Sequence, residues 1–440
     1  MSLTLEKEDL HNKYLVQAEN WDARFSNIAD HIRSLRTHGR NAFAEQGFPT
    51  TRNEDWKYTR VKALVSKEYT FYGLGNELEA LQESHIPKAL LEFSPYKVIV
   101  VNGFINKQLS TFPSQKGFNV SSFLDSSVSG DFKGQLGKYI DLSVAPFVAL
   151  NTGFLQDGVF IQADDNLSFS EPIHVIYIND NRHGAAFCNP RLLCVAGKNS
   201  NFKVIESYIS LGDGGFCNSV VEVQAREGAN VSLYKLQIEK ESASQVSYTQ
   251  VQQERSSNCS VHTITLSGGF VRNDLNYLLH DSGCETHMYG LYLVSGKQHV
   301  DNHTFVDHAK PHCYSNELYK GIIDQKGTAV FNGKILVRPD AQKTNAYQSN
   351  NNILLSDEGN IYTKPQLEIF ADDVKCSHGA TTGQMDAEAM FYLRSRGIGE
   401  DLARSMLVSG FANDVFDTIQ LDTVKEYLKS AVEKVFNLPE

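Results

Sequence analysis

Four β-rich lines recur at near-constant spacing in the middle of the chain, and no other feature restricts the fold as much. SNFKVIES, ANVSLYKL, NCSVHTIT and CETHMYGL each begin on a polar turn and then alternate apolar with polar residues. Their third residues, Phe202, Val231, Ser260 and Thr286, are 29, 29 and 26 residues apart. Two weaker copies follow at GTAVFNGK and GNIYTKPQ. A unit this short cannot bury its own apolar face, so it must stack on its neighbours as a solenoid. The 3.6-residue period of helical repeats is missing. Each period instead holds two or three short strands, as in NVSLYKLQIEK followed by QVSYTQVQQE. The expected fold is therefore mainly β: a right-handed parallel β-helix, or β-solenoid, flanked by N- and C-terminal helical segments. A pair of β-sandwiches is the alternative, but it leaves the regular spacing without a cause.

The chain has 440 residues, enough for two or three structural units. Residues 1–95 form a helical region. Leu5, Leu10, Leu15, Trp21, Phe25, Ile28, Ile32 and Leu35 fall near helical spacing, until Gly47-Phe48-Pro49 stops the pattern. A polar loop follows, with Trp56 set among charges in Glu54-Asp55-Trp56-Lys57-Tyr58-Thr59; the ordinary role of such a tryptophan is to anchor the loop on the core. Residues 96–382 form the β-helix, opening with runs at Lys97–Val101, Val159–Gln162, His174–Ile178 and Leu192–Val195. Residues 383–440 return to helix. Asp386 caps a first helix carrying Met390, Leu393 and Arg394, and Gly397 closes it. A second carries Leu402, Met406 and Ser409, with Leu407 and Phe411 on a neighbouring stripe. A third carries Val424, Tyr427, Leu428, Val432, Val435 and Phe436.

Several function classes are disfavoured. A net charge of −11 argues against a nucleic-acid backbone as the main partner, which needs a basic face. No apolar run approaches the ~20 residues that span a bilayer. The start, MSLTLEKEDL, lacks the basic and apolar segments of a secretory signal, so a cytoplasmic location is expected, with no membrane partner. Seven scattered cysteines without a C-x-x-C pair suggest neither a disulfide framework nor a structural zinc site. Several, Cys194 most clearly, read as small core residues.

Three stretches invite a chemical reading. Gly327-Thr-Ala-Val-Phe-Asn-Gly333-Lys334-Ile335 imitates a phosphate loop, but it has one residue too many between its glycines and Ile335 where a hydroxyl should hold Mg²⁺. His299, Asp301 and His303 alternate, so a strand would place all three on one face. That face suits a metal, or a polar ladder satisfied by neighbouring turns. Cys376 and His378 also share a strand face, where both could meet a soft metal or sulfur, and Lys375 or a protonated His378 would lower the thiol pKa.

The last cluster belongs to a longer run: Lys364-Pro365-Gln-Leu-Glu368-Ile369, then Ala371-Asp372-Asp373-Val374-Lys375-Cys376-Ser377-His378-Gly379-Ala380-Thr381, then Phe391-Tyr392-Leu393-Arg394-Ser395-Arg396-Gly397-Ile398. Together with Glu54–Thr59 and the stretch from His299 to Ile335, it resembles the SufD family of the Suf iron–sulfur cluster assembly system. The resemblance touches both ends and the middle of the chain. It implies a β-helix that pairs with a SufB paralogue, and C-terminal helices that receive the ABC-type ATPase SufC. Met390, Leu393, Arg394, Leu402 and Met406 would then lie on the ATPase-docking helices.

The family's interface histidine lies in the motif K-C-S-H-G-A-T and carries over to His378, a transient metal ligand or proton carrier; Cys376 is the auxiliary thiol beside it. The SufB paralogue has a cysteine on the preceding coil and a glutamate just after the motif histidine. Here those places hold Ser349-Asn350-Asn351-Asn352-Ile353 and Gly379, which favours SufD over SufB. One Cys and one His fall short of a stable cluster site, so no cofactor is expected to be held permanently, and iron or an iron–sulfur cluster would sit transiently at the interface with SufB. A non-enzymatic scaffold is the leading expectation, and an isolated copy would form a homodimer through its unpaired edge. The contrasting expectation is a carbohydrate-active β-helix enzyme, a lyase or hydrolase, which rests on fold analogy alone, since paired carboxylates such as Asp164-Asp165 read as turn residues.

Overall fold

Strict alternation with turns at regular intervals produces two ten-stranded sheets facing each other across one apolar interior. The structure is a computed structural model that describes residues 2–24, 28–72, 81–125 and 130–435. The first sheet contains β1 (Tyr96–Val101), β2 (Phe104–Ile105), β5 (Ile173–Asn181), β8 (Asn201–Gly212), β10 (Asn230–Ile238), β12 (Asn258–Ser267), β14 (Glu285–Val294), β16 (Tyr314–Ile323), β18 (Asn345–Leu354) and β20 (Lys375–Gln384). The second contains β3 (Phe118–Ser122), β4 (Val159–Ala163), β6 (Phe187–Cys188), β7 (Arg191–Ala196), β9 (Phe216–Ala225), β11 (Ser244–Gln253), β13 (Phe270–Leu279), β15 (His299–His308), β17 (Thr328–Val337) and β19 (Asn360–Ile369). From β4 and β5 onward every further pairing is parallel, and from β7 successive strands alternate between the sheets: a β-solenoid of about eight turns. The expected fold class is therefore the observed one.

The ladder of inward side chains corrects the repeat in one place. It runs Phe202, Val231, Cys259, Thr286, Ser315, Ala346 and Cys376. The third line was thus expected one residue late, at Ser260, which faces outward and is only partly buried; Cys259 is the core residue. A slip of one residue exchanges the faces of a strand, and alternation within a single line cannot exclude it. The weaker copies GTAVFNGK and GNIYTKPQ fall in β17 and β19, so they belong to the opposite sheet from the first four lines. The phosphate-loop imitation starts in the turn at Gly327, runs on through β17 and is followed by another strand, not a helix.

The two ends of the solenoid differ. At the N-terminal end, antiparallel strands finish both sheets, β2 on β1 and β3 on β4. The helical pattern read over residues 5–46 resolves into α1 (Ser2–Arg24) and α2 (Asp30–Gln46); the side chains of Leu5 and Phe25 lie outside the described residues. Short helices follow at α3 (Lys62–Val65), α4 (Lys88–Leu91), α5 (Gly130–Gln135) and α6 (Pro146–Gly153). Tyr14, Trp21 and Phe43 pack with Phe147, Phe187 and Phe216 into an aromatic cluster that covers this part of the second sheet. At the C-terminal end β19 and β20 are both outermost, and among the described residues no further strand pairs with either.

Beyond β20 come α7 (Ala387–Ser395), α8 (Glu400–Phe416) and α9 (Asp422–Val435). Asp386 accepts from the Glu388 and Ala389 amides, and Gly397 takes the left-handed conformation, φ 83°, that ends α7. Replacing Asp386 with Ala should cost about 1 kcal/mol of local stability. It would be read as faster hydrogen exchange confined to α7, and unchanged protection there would count against the cap. The apolar stripe that docks α8 is Val408, Ala412, Val415 and Phe416, offset from the Leu402–Met406 stripe; α9 adds Val424, Leu428 and Val432, while Phe436 lies outside the described residues. These side chains cover the outer Ile/Leu face of the first sheet at Ile205, Leu236, Ile264, Leu291 and Ile322.

Candidate functional site

Cys376 and His378 lie on β20 and face inward, on the same side as the buried residues below them. For Cys376 that ladder continues through Ala346 and Ser315; for His378 it continues through Gln348 and Glu317. In any earlier coil these positions would be sealed. Here the coil is the last, so His378 is exposed and Cys376 only half-buried, while the other six cysteines are buried. Nine of the ten residues of β20 are exposed. A Cβ built on Gly379 or Gly383 would meet no heavy atom within 4 Å. Ile369, Phe370, Tyr347 and Tyr362 add exposed apolar surface to the same end.

The Cys376 thiol departs from expectation. Half-burial pushes its pKa up, opposed in part by a hydrogen bond with the Ala346 backbone, and neither Lys375 nor His378 lowers it. Lys375 alternates to the outer face of the strand, whereas the thiol packs inward beside Val374 and Leu367. The turn before it is clasped by the Lys343–Asp373 ion pair and by the Lys343 amide, which donates to Asp373 O at 2.7 Å.

Two residues beneath His378 were not singled out from the sequence. Gln348 Nε2 donates to Glu317 Oε2 at 2.8 Å, and both side chains are buried. Burial pushes the Glu317 carboxyl up to about 7, against the hydrogen bond from Gln348 that lowers it. Further along β18, Asn350 Nδ2 donates to Tyr292 Oη at 2.9 Å, Tyr292 Oη donates to Asn352 Oδ1 at 2.6 Å, and Asn352 Nδ2 donates to Asn350 Oδ1 at 2.7 Å. The open end thus stands on a polar floor. The available signal was polar residues at the alternate positions 348, 350 and 352 of a strand expected to be apolar inside.

His299, Asp301 and His303 do share one face of β15, but it is the outer face, and the Trp56 loop lies over it. Arg272 on β13 gathers this cluster. Its guanidinium donates to Asp301 at 2.6 Å, to Asp274 at 2.7 Å and to Asp55 O at 2.7 Å, and it lies 4.2 Å from the Trp56 ring centroid. Thr59 Oγ1 donates to Asp301 at 2.5 Å, and Lys364 on β19 holds Glu54 at 2.6 Å. Burial alone would raise the Asp301 carboxyl, but Arg272, His303 and Thr59 outweigh it and hold the group well below the usual carboxylate range. The face is a satisfied polar ladder and Trp56 its anchor. Among the described residues no group of three or more His, Cys, Asp and Glu side chains is placed to hold a metal ion. Asp164 and Asp165 sit at a surface turn, where Asp165 accepts from the Lys198 amide.

On the C-terminal helices, Met390 and Leu393 are partly buried. Arg394 is exposed and pairs with Glu400 at 3.0 Å. Leu402 and Met406 are 41% and 47% exposed, and Phe391 and Tyr392 extend this apolar surface along α7. No helix among the described residues is long and apolar enough to cross a membrane.

The SUF system FeS cluster assembly SufBD core domain matches residues 177–411, and the SufBD protein N-terminal region matches residues 9–175. The chain is 28% identical to the iron–sulfur cluster assembly protein SufD of Escherichia coli over 391 residues, 88% of this chain and 89% of that protein. It is 29% identical to an iron–sulfur cluster assembly SufBD family protein of Synechocystis over 398 residues, 87% of this chain and 86% of that one. A SufBD family protein of Mycobacterium leprae is 37% identical over a shorter stretch of 186 residues.

Proposed function

Because this chain belongs to the SufBD family, is of the SufD type and acts in iron–sulfur cluster assembly, we propose that it is a scaffold subunit whose open solenoid end is completed by a SufB paralogue. One observation carries the reading: Cys376 and His378 occupy core-facing positions of a coil over which no further strand lies among the described residues. Exposed parallel strands at the end of a solenoid invite pairing with another chain. The same edges would join two copies when the partner is absent. One half-buried thiol and one imidazole are too few to retain a cluster, since iron–sulfur centres are held by several thiolates. Iron or a nascent cluster is then a transient cargo at the seam, with further ligands supplied by SufB, and His378 serves as ligand or proton carrier. The ATPase SufC would dock on α7 and α8, where Phe391, Tyr392, Leu402 and Met406 are left uncovered by the solenoid. Catalysis of ATP hydrolysis would belong to that separate chain.

The test is reconstitution of the full-length chain with SufB and SufC counterparts, with cluster formation followed by its visible absorbance. His378→Ala should leave assembly of the three proteins intact and slow cluster formation by about tenfold or more, as loss of a ligand-shell group does. Wild-type cluster formation by that variant would end the role assigned to His378.

A further inference from the structure

The inward ladder beneath His378 changes character in its last coils. It runs Val204, Leu233, Val261 and Met288, and then Glu317, Gln348 and His378. The first four are buried and apolar, as a solenoid core requires. Glu317 and Gln348 are equally buried, and a carboxyl and an amide are costly there unless bonded. They bond to each other through Gln348 Nε2 and Glu317 Oε2, which leaves Glu317 Oε1 without a partner. The second polar atom of the amide, Gln348 Oε1, is shielded from solvent and has no partner. Its neighbours on β18 differ: Asn350 and Asn352 are fully engaged with Tyr292 and with one another. Across the interior the structure makes room for this amide. The facing residue of β17 is Gly333, and any side chain there would collide with Gln348. An unused acceptor thus lies one coil below the exposed imidazole, on the same ladder.

We propose that Glu317 and Gln348 are positioning residues for His378: the Glu317 carboxyl anchors the Gln348 amide, and when a partner closes the seam over the imidazole, Gln348 Oε1, unpartnered in the uncovered chain, accepts its N–H. This rests on the reading that His378 serves cluster assembly. A ring nitrogen held by such an acceptor carries the proton, so the opposite nitrogen presents its lone pair outward, toward the cargo at the seam. The polar floor of the last coil then decides which nitrogen meets the partner subunit.

The experiment uses the full-length chain with ¹⁵N-labelled histidine, alone and in the complex with its SufB and SufC counterparts. The His378 ring is assigned by its loss in His378→Ala, and its tautomer is read from the ring ¹⁵N shifts. In the wild-type complex a single tautomer is expected. Gln348→Leu removes the acceptor. Glu317→Met places at that coil the residue type of the preceding one and frees the amide. Both should return the ring toward the mixture of free imidazole and slow cluster formation by about tenfold. Glu317→Gln still accepts from Gln348 Nε2 and should retain both properties. An unchanged tautomer in folded Gln348→Leu or Glu317→Met overturns the positioning, whatever the rate; Glu317→Met keeps the test intact if Gln348→Leu does not fold. A changed tautomer with undiminished cluster formation upholds the positioning and overturns the role of His378 instead.

Discussion

Replacing Arg272 with Ala is expected to destabilise the protein by about 3–5 kcal/mol, because it strands the Asp301 carboxylate in a site built around a guanidinium. Arg272 and Asp301 are both buried and 2.6 Å apart. The same guanidinium closes on Asp274, on the Asp55 carbonyl and over the Trp56 ring, so its loss also unties the Glu54–Thr59 loop from β13 and β15. Hydrogen exchange should rise in residues 53–60 together with a lowered denaturation midpoint. Arg272→Lys keeps the charge but not the fork, and should recover only part of the loss. Adding Asp301→Asn to Arg272→Ala should recover more, since the stranded charge is then gone. A loss below about 1 kcal/mol in Arg272→Ala would show that Asp301 finds its compensation elsewhere.

Phe416→Ala should cost about as much, roughly 3–5 kcal/mol, through the cavity it leaves between α8 and the first sheet. Phe416 is buried with Val415, Ile419, Val424 and Leu428 against the Ile/Leu face of the solenoid. Polar contacts remain, among them Lys320 with Asp414 at 2.5 Å and with Phe411 O at 2.8 Å, Arg404 with Leu355 O at 3.1 Å, and His262 with Thr418 at 3.0 Å. They do not replace buried apolar area. Limited proteolysis within α8 and α9 should accelerate while the β-solenoid keeps its protection. Leu402→Ala and Met406→Ala, at exposed positions of the same helix, should stay within about 0.5 kcal/mol of wild type. If Phe416→Ala is as resistant as these two, α8 is not held by that stripe. The contrast also separates the two faces of α8, since weaker SufC association in Leu402→Ala and Met406→Ala would then report docking rather than stability.

Much of this architecture was legible because its causes are local. Alternation along SNFKVIES and ANVSLYKL marks strands, the spacing of these lines marks stacking, and Asp386 and Gly397 mark the ends of a helix through their own capping chemistry. The pairing of Cys376 with His378 on one face follows from the two-residue period of a strand. What escaped was whatever depended on distant register. Ser260 was taken for Cys259 because a single line carries no information about its neighbour's phase. The thiol pKa went up instead of down because Lys375 alternates away from the side on which Cys376 is half-buried.

By itself, then, the sequence determined that this chain is a stack of β-coils between helices, with one thiol and one imidazole placed near its end. Only the tertiary structure decided that their coil is the uncovered one, that Gln348 and Glu317 lie beneath the imidazole, and that Arg272 joins Trp56 to Asp301. The reason is geometric. Strand period and turn chemistry act over a few residues, whereas which side chains stack depends on how many residues each coil spends in its turns, and that number varies from coil to coil.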